Sequence, residues 1–205
     1  MRPSLAHILA GLVLLTLASC ADKPTRLYVL TATTEKPAAT SPSGLAIGIG
    51  PITLPKYLDR PQIVSSVEAN SLDQANFDQW GGDLNDNITR VLATNLSNLL
   101  ATDRVSLYPW KDGAPVDYQV TLDVSRFEQD KDGSSVLSVF WSIVIPKDGT
   151  VALMRRSSYS QPAPPGASQT DNPRPYDAQV AAMSQDLAAL SRDVATAITA
   201  LKGGS

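Results

Sequence analysis

YQVTLDVSRFE (Tyr118–Glu128), DKDG (Asp130–Gly133), SVLSVFWSIVI (Ser135–Ile145), KDG (Lys147–Gly149) and TVALMRRSSY (Thr150–Tyr159) follow one another almost without a break. Side chains along a strand alternate between two faces, so Val120, Leu122 and Val124 share one face of the first segment. Leu137, Val139, Trp141, Ile143 and Ile145 do the same in the second, whose density of apolar residues predicts the most buried strand of the three. Both connections end in Asp-Gly, where glycine accepts the positive φ that a tight hairpin demands. The stretch therefore predicts an antiparallel meander. Phe127 falls out of step with Val124, which predicts a bulge or twist near Ser125-Arg126.

Beyond the meander, Gln161 to Pro175 holds five prolines and reads as a long loop. The chain then returns to helical spacing from Tyr176 to Leu201. Val180, Met183, Leu187, Leu190, Val194, Ala197 and Leu201 step by three and four, giving a heptad seam. That seam has two readings: a helix lying on the sheet, or one that also packs in part against another subunit.

On the N-terminal side, Val105 to Tyr108 reads as a short strand. Before it, Leu84, Ile88, Val91, Leu92, Leu96, Leu99 and Leu100 form one apolar stripe of a helix that Asp83 can cap and that runs to about Ala101. Gln62 to Glu68 and Leu45 to Leu54 are strand-like. In the latter, Ala46, Gly48 and Gly50 alternate against Ile47, Ile49 and Ile52, and such small residues predict a helix packed closely over that face. Pro55 to Pro61 is rich in turn residues. Thr31 to Gly44 is a loop, and Arg26 to Leu30 a first strand. Strands and helices interleaved in this way predict an α/β (α+β) fold. The expected architecture is a single compact domain, a mixed β-sheet with two main helices packed on it, and a C-terminal meander followed by a terminal helix.

The N-terminus carries a different signal. Arg2 precedes an apolar run, Ile8 to Leu17, that is shorter than the roughly 20 residues needed to span a bilayer as a helix, so it reads as a signal peptide. Leu17-Ala18-Ser19-Cys20 resembles the bacterial lipobox, in which the cysteine thiol takes a diacylglyceryl group and the new N-terminus an acyl chain. An ordinary signal peptide that happens to hold a cysteine is the alternative. Cys20 is the only cysteine of the chain, and a lone thiol in an oxidising compartment has no internal disulfide to form, which favours lipidation. The expected organisation is a signal peptide over 1–19, a lipidated N-terminus and tether over 20–25, and one domain over 26–205. Ala21 follows the cysteine, with Asp22 one place later; an aspartate directly after the cysteine tends to retain enteric lipoproteins in the inner membrane. The expectation is thus the outer membrane, lipid-anchored, on the periplasmic face.

Composition narrows the chemistry. His7, the only histidine, lies in the predicted signal peptide. A mature chain without histidine or free thiol excludes Ser-His-Asp and Cys-His catalysis and nearly all zinc, copper and non-haem iron sites. The net charge of −3 and the absence of Lys/Arg clusters leave nothing for nucleic acid. No metal and no cofactor beyond the covalent lipid on Cys20 is expected, and no enzymatic activity. Asp83, Asn85 and Asn87 mimic an EF-hand start, but Ile88 stands where glycine is required and Thr94 where glutamate is. Gly48-Ile49-Gly50 lacks the third glycine of a dinucleotide fingerprint. Asn87-Ile88-Thr89 and Asn95-Leu96-Ser97 are glycosylation triplets by chance, inside a helix. Trp80, Trp110 and Trp141 read as packing residues before they read as a lipid or sugar groove.

Gly50-Pro51-Ile52-Thr53-Leu54-Pro55-Lys56-Tyr57-Leu58-Asp59-Arg60-Pro61-Gln62-Ile63-Val64 resembles the signature of the ABC-type transport auxiliary lipoprotein family, whose PqiC-like branch is the best known. Trp80, the run Arg90 to Leu100, Pro109-Trp110 and the terminal helix extend the resemblance over essentially the whole mature chain. Gly81-Gly82 departs from it, since an alanine-glutamate pair is expected after Trp80. The resemblance implies an outer-membrane lipoprotein that works with MCE-domain proteins, whose stacked rings form a lipid tunnel across the periplasm. It also implies a compact α/β domain, membrane-integrity and lipid-trafficking roles, a possible homo-oligomeric ring, and no catalytic residues.

Leu54, Pro55, Tyr57, Leu58, Asp59, Arg60 and Pro61 form the candidate partner-binding loop. Two prolines reduce the entropy lost on ordering, and Tyr and Arg are favoured interface anchors. The alternative is an internal ion pair, Asp59 with Arg60 or elsewhere, that fixes the turn; replacing Tyr57 and Arg60 together by alanine is expected to weaken partner co-purification at nearly constant melting temperature in the first case only. Three functions compete: an accessory subunit of a lipid-transport machine, a lipoprotein that carries a lipid in its own cavity, and a carboxylate-dependent glycan hydrolase.

Overall fold

The computed structural model describes residues 24–35, 43–110, 115–163 and 174–204. Among them, eight strands form one mixed, curled sheet and two helices cover it. The strands are β1 (Arg26–Tyr28), β2 (Ile47–Thr53), β3 (Gln62–Glu68), β4 (Ser71–Trp80), β5 (Val105–Leu107), β6 (Tyr118–Gln129), β7 (Ser135–Ile145) and β8 (Thr150–Gln161). The helices are α1 (Leu84–Leu99) and α2 (Asp177–Gly203).

The meander forms as expected, with β7 antiparallel to both β6 and β8. The β6–β7 register slips between Val124 and Arg126, where Phe127 falls out of step. Because of that slip Phe127 points inward beside Val124, and both are buried. β6 is the branch point of the sheet. One of its edges is taken by β7 along nearly its whole length. The other edge pairs in parallel first with β2, from Ile47↔Tyr118 to Thr53↔Asp123, and then with β3 at Ser65↔Gln129. Beyond β2 lies β5, and beyond β3 lie β4 and then β1, giving the order β1-β4-β3-β6-β2-β5.

β4 is the element that alternation does not reveal. Its sequence SLDQANFDQW has no apolar period of two. It pairs with β3 through two register shifts, Val64↔Gln74 giving way to Gln62↔Gln79, so the extra residues bulge outward and break the pattern. The first strand is also shorter than expected and ends at Tyr28, after which Leu30 to Thr34 cross over α1.

α1 packs on α2, β2 and β5, and α2 lies across β6, β7 and β8. The core between sheet and helices holds Ile47 and Ile49 of β2, Phe127 of β6, Leu137, Trp141 and Ile143 of β7, and Ile88, Leu92 and Leu96 of α1, all at most 1% exposed. Each such side chain contributes on the order of 1.5–3 kcal/mol relative to exposure. In α2, Val180, Met183, Leu187, Leu190 and Val194 are all buried within this chain, so that part of the seam serves the first reading and has no surface left for a second subunit. Asp83 starts α1 without a side-chain capping bond; its carbonyl instead takes the Asn87 N–H and the Asn87 side-chain amide, both at 3.0 Å.

The two glycosylation-like asparagines staple the N-terminal segment to the helices. Asn87 Oδ1 accepts from the Leu30 N–H. Asn95 Oδ1 accepts from the Thr34 hydroxyl at 3.0 Å, while its amide donates to Ser191 of α2 at 3.2 Å. These buried amides sit on the apolar stripe because the backbone crossing above them needs partners.

The small face of β2 corrects the expectation of a covering helix. A Cβ on Gly48 would meet the Trp110 ring at 2.5 Å and Val116 at 2.9 Å. The glycine makes room for an indole from the segment after β5, while α1 packs on the isoleucine face.

Candidate functional site

The candidate loop runs from the end of β2 towards β3 and splits into an inner and an outer half. Leu58 is 3% exposed and belongs to the core, and Leu54 and Tyr57 pack partly against it. The turn is closed by the Leu58 N–H to Pro55 O and the Arg60 N–H to Leu58 O, both at 2.9 Å. Asp59, Arg60 and Pro61 are exposed.

Tyr57 reaches into β6, where its hydroxyl donates to Glu128 Oε2 at 2.8 Å and to the Ser125 carbonyl at 3.3 Å. Glu128 is buried, yet both its oxygens are occupied: Arg126 Nε donates to Oε1 at 2.7 Å and the Phe127 N–H to Oε2 at 3.0 Å. Burial, reinforced by the bond to Glu128, pushes the Tyr57 phenol well above its usual range, so Tyr57 stays a neutral donor. The bulge in β6 sets Arg126, Phe127 and Glu128 in position for this network. The sequence marks the bulge through Phe127 but gives no sign of Glu128's role.

Among the described residues Asp59 forms no ion pair. Arg60 donates across to Gln74 Oε1 of β4 at 2.7 Å, because β4 runs beside the loop. Tyr57 divides two surface grooves. One of about 640 Å³ is lined by Tyr57, Ser66, Leu72, Arg126, Glu128 and Lys131. The other, of about 240 Å³, lies between Arg60, Val64, Leu72 and Gln74.

A second polar cluster holds β1 to the sheet. Arg26 makes a bidentate pair with Asp78 of β4, at 2.6 and 2.9 Å, and the Tyr28 hydroxyl donates to the same carboxylate at 2.8 Å. Burial would raise the Asp78 carboxyl, but the bonds from Arg26 and Tyr28 outweigh it and hold the group below the usual carboxylate range. From the start of α2, Arg174 stacks over the Tyr28 ring at 4.2 Å and donates to the Leu27 carbonyl at 2.7 Å, while Tyr176 meets Tyr28 edge-on. This cluster went unseen in the sequence because Asp78 lies in the unrecognised β4. After Trp80, Gly82 sits at φ +107 and a Cβ on Gly81 would approach Val29 Cγ1 at 3.0 Å. The backbone here favours the two glycines over the expected alanine-glutamate pair.

Asp186 of α2 faces the meander, where Ser135 donates to its Oδ2 at 2.6 Å and its Oδ1 is buried without a partner. Burial, opposed only by that one bond, pushes its pKa up to about 6. Glu128 has donors on both oxygens, and Asp186 is buried in the interior. Trp80 and Trp141 are buried and Trp110 half-buried, so all three serve packing. Among the described residues no group of His, Cys, Asp and Glu could hold a metal ion, and no helix is long and apolar enough to cross a membrane. Cys20 and the segment expected to be a signal peptide lie outside the described residues.

The fold has solved counterparts. A crystal structure of an uncharacterized protein is 20% identical and superposes with a TM-score of 0.66, covering 86% of this chain and 99% of its own. A Xanthomonas campestris protein of the DUF330 family is 19% identical with a TM-score of 0.68, over 88% of this chain and 99% of its own. The PelC dodecamer of Paraburkholderia phytofirmans is more distant, at 15% identity and a TM-score of 0.40, over 78% and 92%. No curated protein matches the chain. The family model for the ABC-type transport auxiliary lipoprotein component matches residues 28–195, from β1 through most of α2, and the chain belongs to that family.

Proposed function

We propose that this protein is a non-catalytic lipoprotein subunit of an MCE/ABC-type lipid transport system of the Gram-negative envelope. Acyl chains on Cys20 hold it at the outer membrane, the domain of residues 26–205 faces the periplasm, and it docks the tunnel of an MCE-domain protein. The observation that carries this reading is the family match over residues 28–195 in a chain whose preceding segment ends in Leu17-Ala18-Ser19-Cys20.

The architecture supports docking over transport by the domain itself. The space between sheet and helices is filled by side chains such as Trp141, Phe127 and Met183, and the grooves beside Tyr57 are open surface features. Within the candidate loop, Tyr57 and Leu58 fix the conformation, and Asp59, Arg60 and Pro61 at its crest meet the partner. This division of labour changes the diagnostic substitution. Tyr57→Ala would break an internal network, so Asp59→Ala with Arg60→Ala is the cleaner test.

The experiment is co-purification of the full lipidated chain with an MCE-domain protein of the same organism. The double variant should lose at least tenfold of the captured partner at an unchanged melting temperature. Equal capture removes the loop from the interface. Native mass spectrometry finding one lipid per chain, besides the anchor, would favour a carrier instead.

A further inference from the structure

β1 begins six residues after Cys20, and its outward face is apolar. Arg26, Tyr28 and Leu30 alternate inward, leaving Leu27 56% and Val29 48% exposed. The Leu27↔Gln79 register puts Phe77 of β4, 39% exposed, diagonally beside Leu27 on the same face. These three side chains form a stripe along the β1 edge of the sheet.

We infer that this β1–β4 edge is the surface the domain lays against the bilayer, with Leu27, Val29 and Phe77 at the headgroup–acyl boundary. The inference rests on the proposed acylation of Cys20. Seven residue steps separate Cys20 from Leu27, so even a fully extended chain spans about 25 Å between them. A domain of this size has a radius of gyration of about 16 Å and is wider than that span. An anchored domain therefore cannot turn its far side to the membrane while β1 faces away.

The tether also raises the local concentration of lipid around this edge, so a weakly apolar stripe suffices for contact. The other exposed apolar pair near this end, Val67 and Leu72 at the β3–β4 turn, sits among Glu68 and Asp73, a poorer match for a phosphate-rich surface.

An acylated Cys20 has no free thiol, so a new cysteine gives a single labelling site. The full lipidated chain carrying Leu27→Cys, Leu72→Cys or Met154→Cys is labelled with nitrobenzoxadiazole and reconstituted into phosphatidylethanolamine–phosphatidylglycerol vesicles containing doxyl-labelled lipid. Quenching at position 27 should exceed that at 72 and 154 at least threefold. Equal or greater quenching at 72 or 154, or none at 27 on vesicles that carry the protein, overturns the assigned face while leaving the anchor intact. A parent chain that accepts the thiol label and fails to float with vesicles shows Cys20 to be unacylated, and the inference falls with the reading beneath it.

Discussion

The β6–β7–β8 meander and the β1–β4–β3 wing belong to one sheet but are held by different physics. In the meander, neighbouring strands are neighbours in sequence. Phe127, Leu137, Val139, Trp141 and Ile143 are sealed beneath α2, and Trp141 even satisfies its indole N–H on Ser157 at 3.0 Å. In the wing, β1 is three residues long and pairs with a strand some fifty positions away. What fixes it is a buried carboxylate, Asp78, with Arg26 and Tyr28 as donors, and Arg174 as a clamp from a third element. Local apolar pairing makes a stable slab, whereas a non-local polar latch makes an attachment that holds a direction. The second suits the place where the proposed tether enters the domain.

The largest expected effect attacks the slab. Trp141→Ala should cost about 3–5 kcal/mol, as removal of a fully buried indole leaves a cavity and an unused Ser157 hydroxyl; urea unfolding midpoints measure it. A loss under 1 kcal/mol would mean that the meander does not dominate stability.

Asp186 is the flaw in the same slab. Its folded pKa, about 6 against an ordinary 3.8, lies above the unfolded one, so the protonated form stabilises the fold. That contribution is complete below about pH 4, drains away as the pH climbs to 6, and is gone at pH 7.5. Asp186→Asn should therefore raise stability by roughly 2–3 kcal/mol at pH 7.5 and change it little near pH 4. An equal shift at both pH values would place the effect elsewhere than in the charge.

Gly48→Ala probes β2, outside both regions. The new methyl group displaces Trp110, at a cost of about 1–3 kcal/mol, and tryptophan fluorescence should shift to the red as the ring moves towards water. Smallest in global terms is Asp78→Asn. It should leave the unfolding midpoint nearly unchanged while amide exchange speeds up in Arg26–Tyr28, since only the latch is released. A large drop in midpoint would erase the distinction between slab and latch.

The meander, both helices, β3 and the bulge in β6 were legible because each is written in local periodicity, and the loop at Tyr57 in an unusual run of residues. β4 was not, since its bulges scramble the alternation by which a strand is recognised. The latch was invisible for the same reason: Asp78 acquires meaning only when β1 lies beside it. The small face of β2 was seen but misassigned, because a row of small residues says that something comes close without saying what.

By itself the sequence determined the class of domain this protein builds. Hydrophobic spacing selects helix or strand within a dozen residues. The tertiary structure alone decided which polar groups meet. It brought Tyr57 to Glu128, Arg60 to Gln74 in place of Asp59, Arg26 to Asp78, and Asp186 into a site with one donor for two oxygens. Such pairings join positions up to about seventy residues apart, and they depend on how strands stack around β6, which no local window records.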